Sequence, residues 1–162
     1  MRVEALMTKD VKTCSPQETL NSAAQILWDE SVGCVPVVDG NSQVVGIVTD
    51  RDLCMAAYLQ GRSLRGIHVS SLVANNVVSC SPEDTIAAAE NLMRDRTVRR
   101  LPVIDGGGHL VGLLSLNDIA REAARQRTNG KKGVGDAEVG ETLSALCDAH
   151  FAKRAAATSS LE

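Results

Sequence analysis

The stretch "GIVTDRDL" (46–53) has a counterpart further along the chain, "GLLSLNDI" (112–119). Both keep a Gly, a hydroxyl residue three positions on, and an Asp three positions beyond that. Apolar residues run up to the hydroxyl, as in a buried strand, and a helical pattern follows it. The reading of this junction decides the fold.

Working outward, the likeness continues. Residues 6–53 align with residues 72–119 without a gap, and about a third of the positions are identical. The matches include Cys14 with Cys80, Pro16 with Pro82, Pro36 with Pro102, Asp39 with Asp105, Gly46 with Gly112 and Asp52 with Asp118. A repeat of this length constrains the architecture before any single motif does. Each copy reads alike. "VKTC" is a short strand, and "SPQE" and "SPED" are helix starts with Ser as N-cap, Pro at the first helical position and an acid at the third. Apolar stripes follow at helical spacing, Leu20, Ala23, Ala24 and Leu27 in one copy and Ile86, Ala89, Leu92 and Met93 in the other. "CVPVVDG" reads as a strand closing in a turn, "VVGIVT" as a strand covered on both faces, and "DLCMAAYLQ" and "DIAREAARQ" as closing helices.

The expected fold class is therefore α/β in the mixed, α+β sense. Two β-α-β-β-α repeats pack about a pseudo-twofold axis, since about fifty residues bury too little apolar surface to be secure alone, and a C-terminal helix is added. The expected segments are 1–66 and 67–127 for the repeats, 128–137 for a Gly-rich linker and 138–162 for the final helix and tail. In that helix Val139, Leu143, Leu146, Cys147, His150 and Phe151 fall along one face. It either folds back on its own domain or serves as a dimer-reinforcing or partner-binding arm.

Composition narrows the function. The 162 residues carry a net charge of −3, so nothing predicts attraction to nucleic acid or an anionic membrane. One Trp, one Tyr and one Phe are too few to stack bases between rings. No apolar run approaches the ~20 residues that span a bilayer. The opening "MRVEALMTKD" lacks the apolar core of a signal peptide, so a cytoplasmic location is expected. Five scattered cysteines read as reduced thiols.

Thr49 with Asp52, and Ser115 with Asp118, can be read in two ways. As a capping box, the hydroxyl caps the helix and the Asp returns a bond to the cap's backbone N–H. As a ligand grip, the helix N-terminus and hydroxyl meet a phosphate while the Asp accepts bonds from two ribose hydroxyls. The Gly before each junction would let a ligand approach the backbone closely.

The doubled pattern, apolar-Pro-Val-apolar-Asp and then apolar-apolar-Gly-apolar-apolar-Thr/Ser-x-x-Asp, resembles a tandem pair of CBS domains, the Bateman module, of the stand-alone bacterial type. The resemblance covers roughly residues 1 to 127. It implies a disc with two clefts that bind adenosine compounds such as AMP, ADP, ATP, S-adenosylmethionine or NAD. It assigns Asp52 and Asp118 to ribose hydroxyls and Thr49 and Ser115 to phosphate. It lines the adenine pockets with Thr13, Cys14, Val35, Pro36 and Val37, and with Ser79, Cys80, Leu101, Pro102 and Val103. Arg51, Arg99 and Arg100 differ between the copies and either bring positive charge to the clefts or are solvated surface residues. His109 reads as a turn residue.

The expected function is a regulatory sensor that binds an adenine nucleotide and signals through its shape or dimer packing to a protein effector. It is expected to be a homodimer and not an enzyme, since no nucleophile–base set stands out, and to need no obligatory cofactor or metal. A ligand-free dimerisation module is the alternative. A redox or metal switch through Cys14 and Cys80 is the third reading.

Overall fold

A computed structural model describes residues 1–73, 77–128 and 135–159. The helices and strands, in order, are α1 (Leu20–Asp29), β1 (Cys34–Val38), β2 (Val44–Thr49), α2 (Asp50–Gln60), α3 (Ile86–Arg96), β3 (Arg100–Ile104), β4 (Leu110–Ser115), α4 (Leu116–Thr128) and α5 (Asp136–Ser159). The strands form two antiparallel pairs, β1 with β2 and β3 with β4. This is the mixed helix-and-strand repeat that the sequence implies.

The first strand of each repeat is shorter than "VKTC" suggests. Cys14 makes a single parallel bridge to Val37, and Cys80 one to Val103. The Cys14 N–H donates to the Pro36 carbonyl at 3.1 Å, and the Val38 N–H donates to the Cys14 carbonyl at 2.9 Å. The next rung toward residue 12 would need an N–H from position 36. Proline has none, so pairing stops after one residue. Pro102 imposes the same limit beside Cys80.

The first and third helices begin later than expected. Residues 15–18 form a turn, in which the Glu18 N–H donates to the Ser15 carbonyl at 3.2 Å and the Glu18 carboxylate accepts from the Ser15 N–H at 2.6 Å. The N-cap is Thr19, held extended at φ −87° and ψ 159°. A bridge to His68 and a 2.8 Å bond from the Leu20 N–H to the Ile67 carbonyl keep it so. The second copy repeats the arrangement. Thr85 caps α3 and accepts from the Ala88 N–H at 3.1 Å, while Arg2 bridges Thr85 and the Ile86 N–H donates to the Met1 carbonyl at 3.0 Å.

The segment leading into each repeat thus serves the other repeat. Residues 67–70 pair with the turn before α1, and residues 1–4 with the turn before α3. The chain clusters into two compact units accordingly: Lys9–Ser79 with Ile104–Gly112, and Met1–Thr8 with Cys80–Val103 and Leu113–Glu162. In the first unit Leu20, Ala23, Leu27, Val35, Val37, Val48, Ile67 and Val69 form an aliphatic core. In the second, Val3, Ile86, Ala89, Met93, Leu101, Val103, Leu114 and Ile119 are buried. Burial on both faces belongs to β1, whereas β2 alternates, with Gly46 and Val48 buried between half-buried neighbours.

Helix α5 folds back on its own unit and packs against α3 and α4. Its inward face differs from the expected one. Thr142 and Leu146 are buried, while Leu143 is 50 % exposed and Cys147 lies outside. The seat is polar, and Arg94 on α3 donates to the Thr142 hydroxyl at 3.2 Å. Thr142, and not Leu143, faces that seat. The side chains of His150 and Phe151, most of the linker, and residues 160–162 lie outside the described residues.

Candidate functional site

Both junctions fold as capping boxes. In the first, the Thr49 hydroxyl accepts from the Asp52 N–H at 3.3 Å, and Asp52 Oδ2 accepts from the Thr49 N–H at 2.9 Å and from its hydroxyl at 2.7 Å. In the second, the Ser115 hydroxyl accepts from the Asp118 N–H at 3.3 Å, and Asp118 Oδ2 accepts from the Ser115 N–H at 3.0 Å and from its hydroxyl at 2.5 Å. The two readings of the junction are thus compatible at the level of atoms. The box uses one carboxylate oxygen and leaves the other outside it.

For Asp118 that other oxygen faces a cleft. Oδ1 lies 3.6 Å from an Arg121 guanidinium nitrogen, and the Asp118 side chain is 17 % exposed. The cleft has a volume of about 190 Å³ and is lined by Leu6, Thr8, Asp118, Arg121, Glu122 and Arg125. Thr8 is fixed by reciprocal backbone bonds with Leu113, both at 2.9 Å, one residue pair before Ser115. Arg125 is held by the buried Glu122 carboxylate through two bonds of 2.7 and 2.8 Å. Glu122 thereby raises the Arg125 pKa further above its ordinary value. The Arg121–Asp118 pair is longer and more exposed, so it is the weaker of the two.

The structure brings several expected residues together within each unit. Around the first junction, Cys34 at the head of β1 pairs with Thr49, and Cys14 bridges Val37 three residues along. Cys14, Val35, Pro36 and Val37 therefore lie along one small sheet with Thr49, with roughly 10 Å of strand between its ends, and Thr13 precedes Cys14 outside the pairing. Arg51 is exposed in the first turn of α2. Around the second junction, the Leu116 N–H donates to the Arg99 carbonyl at 3.0 Å, which sets Arg99 beside Ser115. Arg100 opens β3 half-buried, followed by the buried Leu101, Pro102 and Val103, and Cys80 bridges Val103, with Ser79 the residue before it in sequence.

The close approach at Gly46 is made by the protein itself, since a Cβ there would lie 3.2 Å from Val73 Cγ2. His109 is a turn residue, its N–H bonded to Asp105 Oδ1 at 2.9 Å, and it bridges Gln43, its own counterpart in the other hairpin. Cys14 and Cys80 are buried free thiols. Burial pushes the Cys14 thiol up to about 11 with help from Glu18, and burial beside Asp84 pushes Cys80 up to about 12. Among the described residues no group of three or more His, Cys, Asp or Glu side chains is placed to hold a metal ion.

Sequence reasoning missed Leu6, Thr8, Arg121, Glu122 and Arg125. Arg121 and Arg125 follow Asp118 at spacings of three and seven, which keeps them on its helix face, and that signal was available. Leu6 and Thr8 come from the far end of the sequence and carry no local signal.

The CBS domain family matches this sequence twice, at residues 3–58 and 69–125. The chain belongs to the CBS domain family. Among CBS proteins it is 36 % identical over 118 residues to the CBS domain-containing protein YhcV of Bacillus subtilis, a match covering 73 % of this chain and 82 % of YhcV. Other curated relatives are longer, and the chain spans 23 % to 57 % of them. Among solved CBS structures, Hypoxic Response Protein I with two coordinated zinc ions is 27 % identical, with a TM-score of 0.69 over 75 % of this chain and 98 % of that one. CBSX2 in complex with AMP is 26 % identical, with a TM-score of 0.68 over 78 % of this chain and 98 % of that one. No described helix of this CBS pair is long and apolar enough to cross a membrane.

Proposed function

We propose that the chain is a regulatory sensor of adenosine-bearing ligands, with AMP the first candidate. The observation that carries this reading is the divided use of Asp118. One oxygen closes the capping box, and the other faces a cleft holding two guanidinium groups. A ribose hydroxyl donating to Asp118 Oδ1 replaces a 3.6 Å pair of little worth, and Arg121 is then free for a phosphate. The cleft, at about 190 Å³, is smaller than the ~300–1,000 Å³ of whole-ligand pockets. It suits the sugar-phosphate portion, with adenine lying on the backbone and aliphatic walls named above. Thr49 and Asp52 offer the corresponding grip in the first repeat. The similarity to the CBSX2 structure holding AMP supports the ligand class.

In this reading the chain acts by binding, in the cytoplasm, and alters its shape or the packing of a homodimer for an effector protein to read. A second reading is a ligand-free structural module. It is favoured by the closure of both capping boxes on their own backbone. A thermal-shift series with AMP, ADP, ATP, NAD and S-adenosylmethionine separates the two. A ligand at a hundredfold excess over its Kd adds about 2.7 kcal/mol, or roughly 5–10 °C in Tm for a chain of this size. No shift with any of the five at millimolar concentration would favour the structural module.

A further inference from the structure

Beyond the shared turn of hydroxyl and Asp, the closing helices of the two repeats part company. On α4, Asp118 is followed by Arg121, Glu122, Arg125 and Gln126. Glu122 is 7 % exposed, and its carboxylate accepts from Arg125 Nε at 2.7 Å, from Arg125 Nη2 at 2.8 Å and from the Gln126 amide at 2.7 Å. This two-pronged hold fixes the Arg125 guanidinium on the wall of the cleft that Asp118 faces, and Arg121 stands on the same wall. Subtracting the repeat length gives Met55, Ala56, Leu59 and Gln60 on α2. Asp52 thus keeps the place of Asp118, while both guanidinium groups, and the carboxylate that anchors one of them, give way to apolar side chains. Ala56 is buried, whereas Met55 is 38 % exposed and Leu59 73 %. The cation in the first turn of α2, Arg51, stands between Asp50 and Asp52, and its backbone N–H donates to Asp50 Oδ1 at 2.7 Å. Two carboxylates therefore outweigh one guanidinium in that turn.

We propose that this difference sorts ligands. The site of the second repeat selects, through Arg121 and Arg125, an adenosine compound that carries a 5′-phosphate. The site of the first repeat holds the adenosine portion and is indifferent to phosphate. The inference rests on the reading that Asp118 and Asp52 hold the ribose. A phosphate that leaves water must regain charge-assisted bonds, and arginine supplies them with a planar fork of donors. On α4 it meets two guanidinium groups, one of them already ordered by Glu122, so the entropy of fixing that long side chain is lost in folding and not on binding. With three donors on its carboxylate, Glu122 is engaged with the protein and acts on the ligand through Arg125, as a positioning residue. On α2 the corresponding positions offer a thioether and an isobutyl group. These make van der Waals contact with an uncharged 5′ substituent and give an anion no donor.

The test is a calorimetric titration of the full chain with AMP and with adenosine, which differ only in the phosphate. Asp52→Ala isolates the second site and Asp118→Ala the first, and melts confirm that each variant folds. In Asp52→Ala, AMP is expected to bind about a hundredfold tighter than adenosine, as two charge-assisted bonds would give. Adding Arg121→Met and Arg125→Leu should bring that preference below about threefold while adenosine affinity stays in place. Arg125→Leu leaves the buried Glu122 without Arg125, so Arg121→Met alone is the safeguard. It touches only an exposed pair and should still cut the preference about tenfold. In Asp118→Ala the two ligands should bind within about threefold of each other. The same preference for AMP at both sites would overturn the proposal. So would an equal loss of adenosine and AMP affinity on removing the arginines, which would make their role structural. Two sites of equal preference would leave the adenosine-sensor reading standing and sink only the sorting, whereas folded wild-type protein that binds neither ligand would overturn both.

Discussion

Asp118 has two separable roles, and its neighbours allow each to be removed alone. Asp118→Ala opens the capping box and costs about 1 kcal/mol of stability, which lowers Tm by roughly 2–4 °C. Arg121→Ala breaks only an exposed 3.6 Å pair and should leave Tm within a degree, because such pairs contribute about 0–1 kcal/mol. If the cleft is the ligand site, the same Arg121→Ala change still weakens AMP binding about tenfold. Thermal melts with and without AMP on both variants make the comparison, and equal AMP shifts in wild type and Arg121→Ala would remove Arg121 from the site. The hydroxyl-plus-Asp pair was legible because its spacing repeats. What sequence could not show was that one carboxylate oxygen closes the cap while the other faces a cleft, since that division is a matter of rotamer.

At the scale of elements, two features invite measurement. Thr97 ends α3 at φ +54°, as Ser31 follows α1 at φ +52°. A β-branched residue is a poor occupant of the left-handed region. Thr97→Gly should therefore stabilise the protein by about 1 kcal/mol, seen as a rise in Tm, and an unchanged or lower Tm would show that the Thr97 side chain makes compensating contacts. The second feature is the α5 seat. Glu90 is buried on α3, Oε1 has no hydrogen-bond partner among the described residues, and its carboxyl is pushed up by burial first and then by Glu138 on α5, against the opposing charge of Arg94. A raised folded pKa contributes stability that is present below the ordinary carboxylate value and is lost as pH rises through the raised one. Amide exchange in residues 137–148 should accordingly quicken with pH beyond its intrinsic rate, and Glu90→Gln should flatten that excess. A variant with the wild-type pH profile would clear Glu90 of the role. The helix starts were misplaced by four residues for a related reason. "SPQE" and "SPED" do form the acid-to-N–H bond of a capping motif, but Thr19 and Thr85 are drawn extended by strand-like pairing with residues distant in sequence. Local preference cannot see such a partner.

At the scale of the whole molecule, the repeat carried nearly all that was legible. It predicted two equivalent strand pairs and two equivalent caps, and these are present. It did not reveal that each leading segment serves the other repeat. Residues 1–4 and 67–70 make matching bonds, Val3 to Asp84 at 2.9 Å and Val69 to Glu18 at 2.9 Å, and a translation of the sequence leaves that exchange invisible. The exchange also explains why the cleft at Asp118 includes Leu6 and Thr8, which belong by sequence to the first repeat. Truncating the first eight residues would therefore strip one wall from that cleft while leaving the unit around Asp52 with its own leading segment intact.

The most direct measurement is a calorimetric titration of the full chain with AMP, set beside Asp118→Ala and Asp52→Ala, with each variant's folding checked by its melt. Saturable binding in the wild type, with each variant losing affinity at one site by at least tenfold, is the predicted result. Binding undiminished in both variants, or no heat from AMP, ADP or ATP with folded wild-type protein, would contradict the assignment of these carboxylates to the sugar of an adenosine ligand.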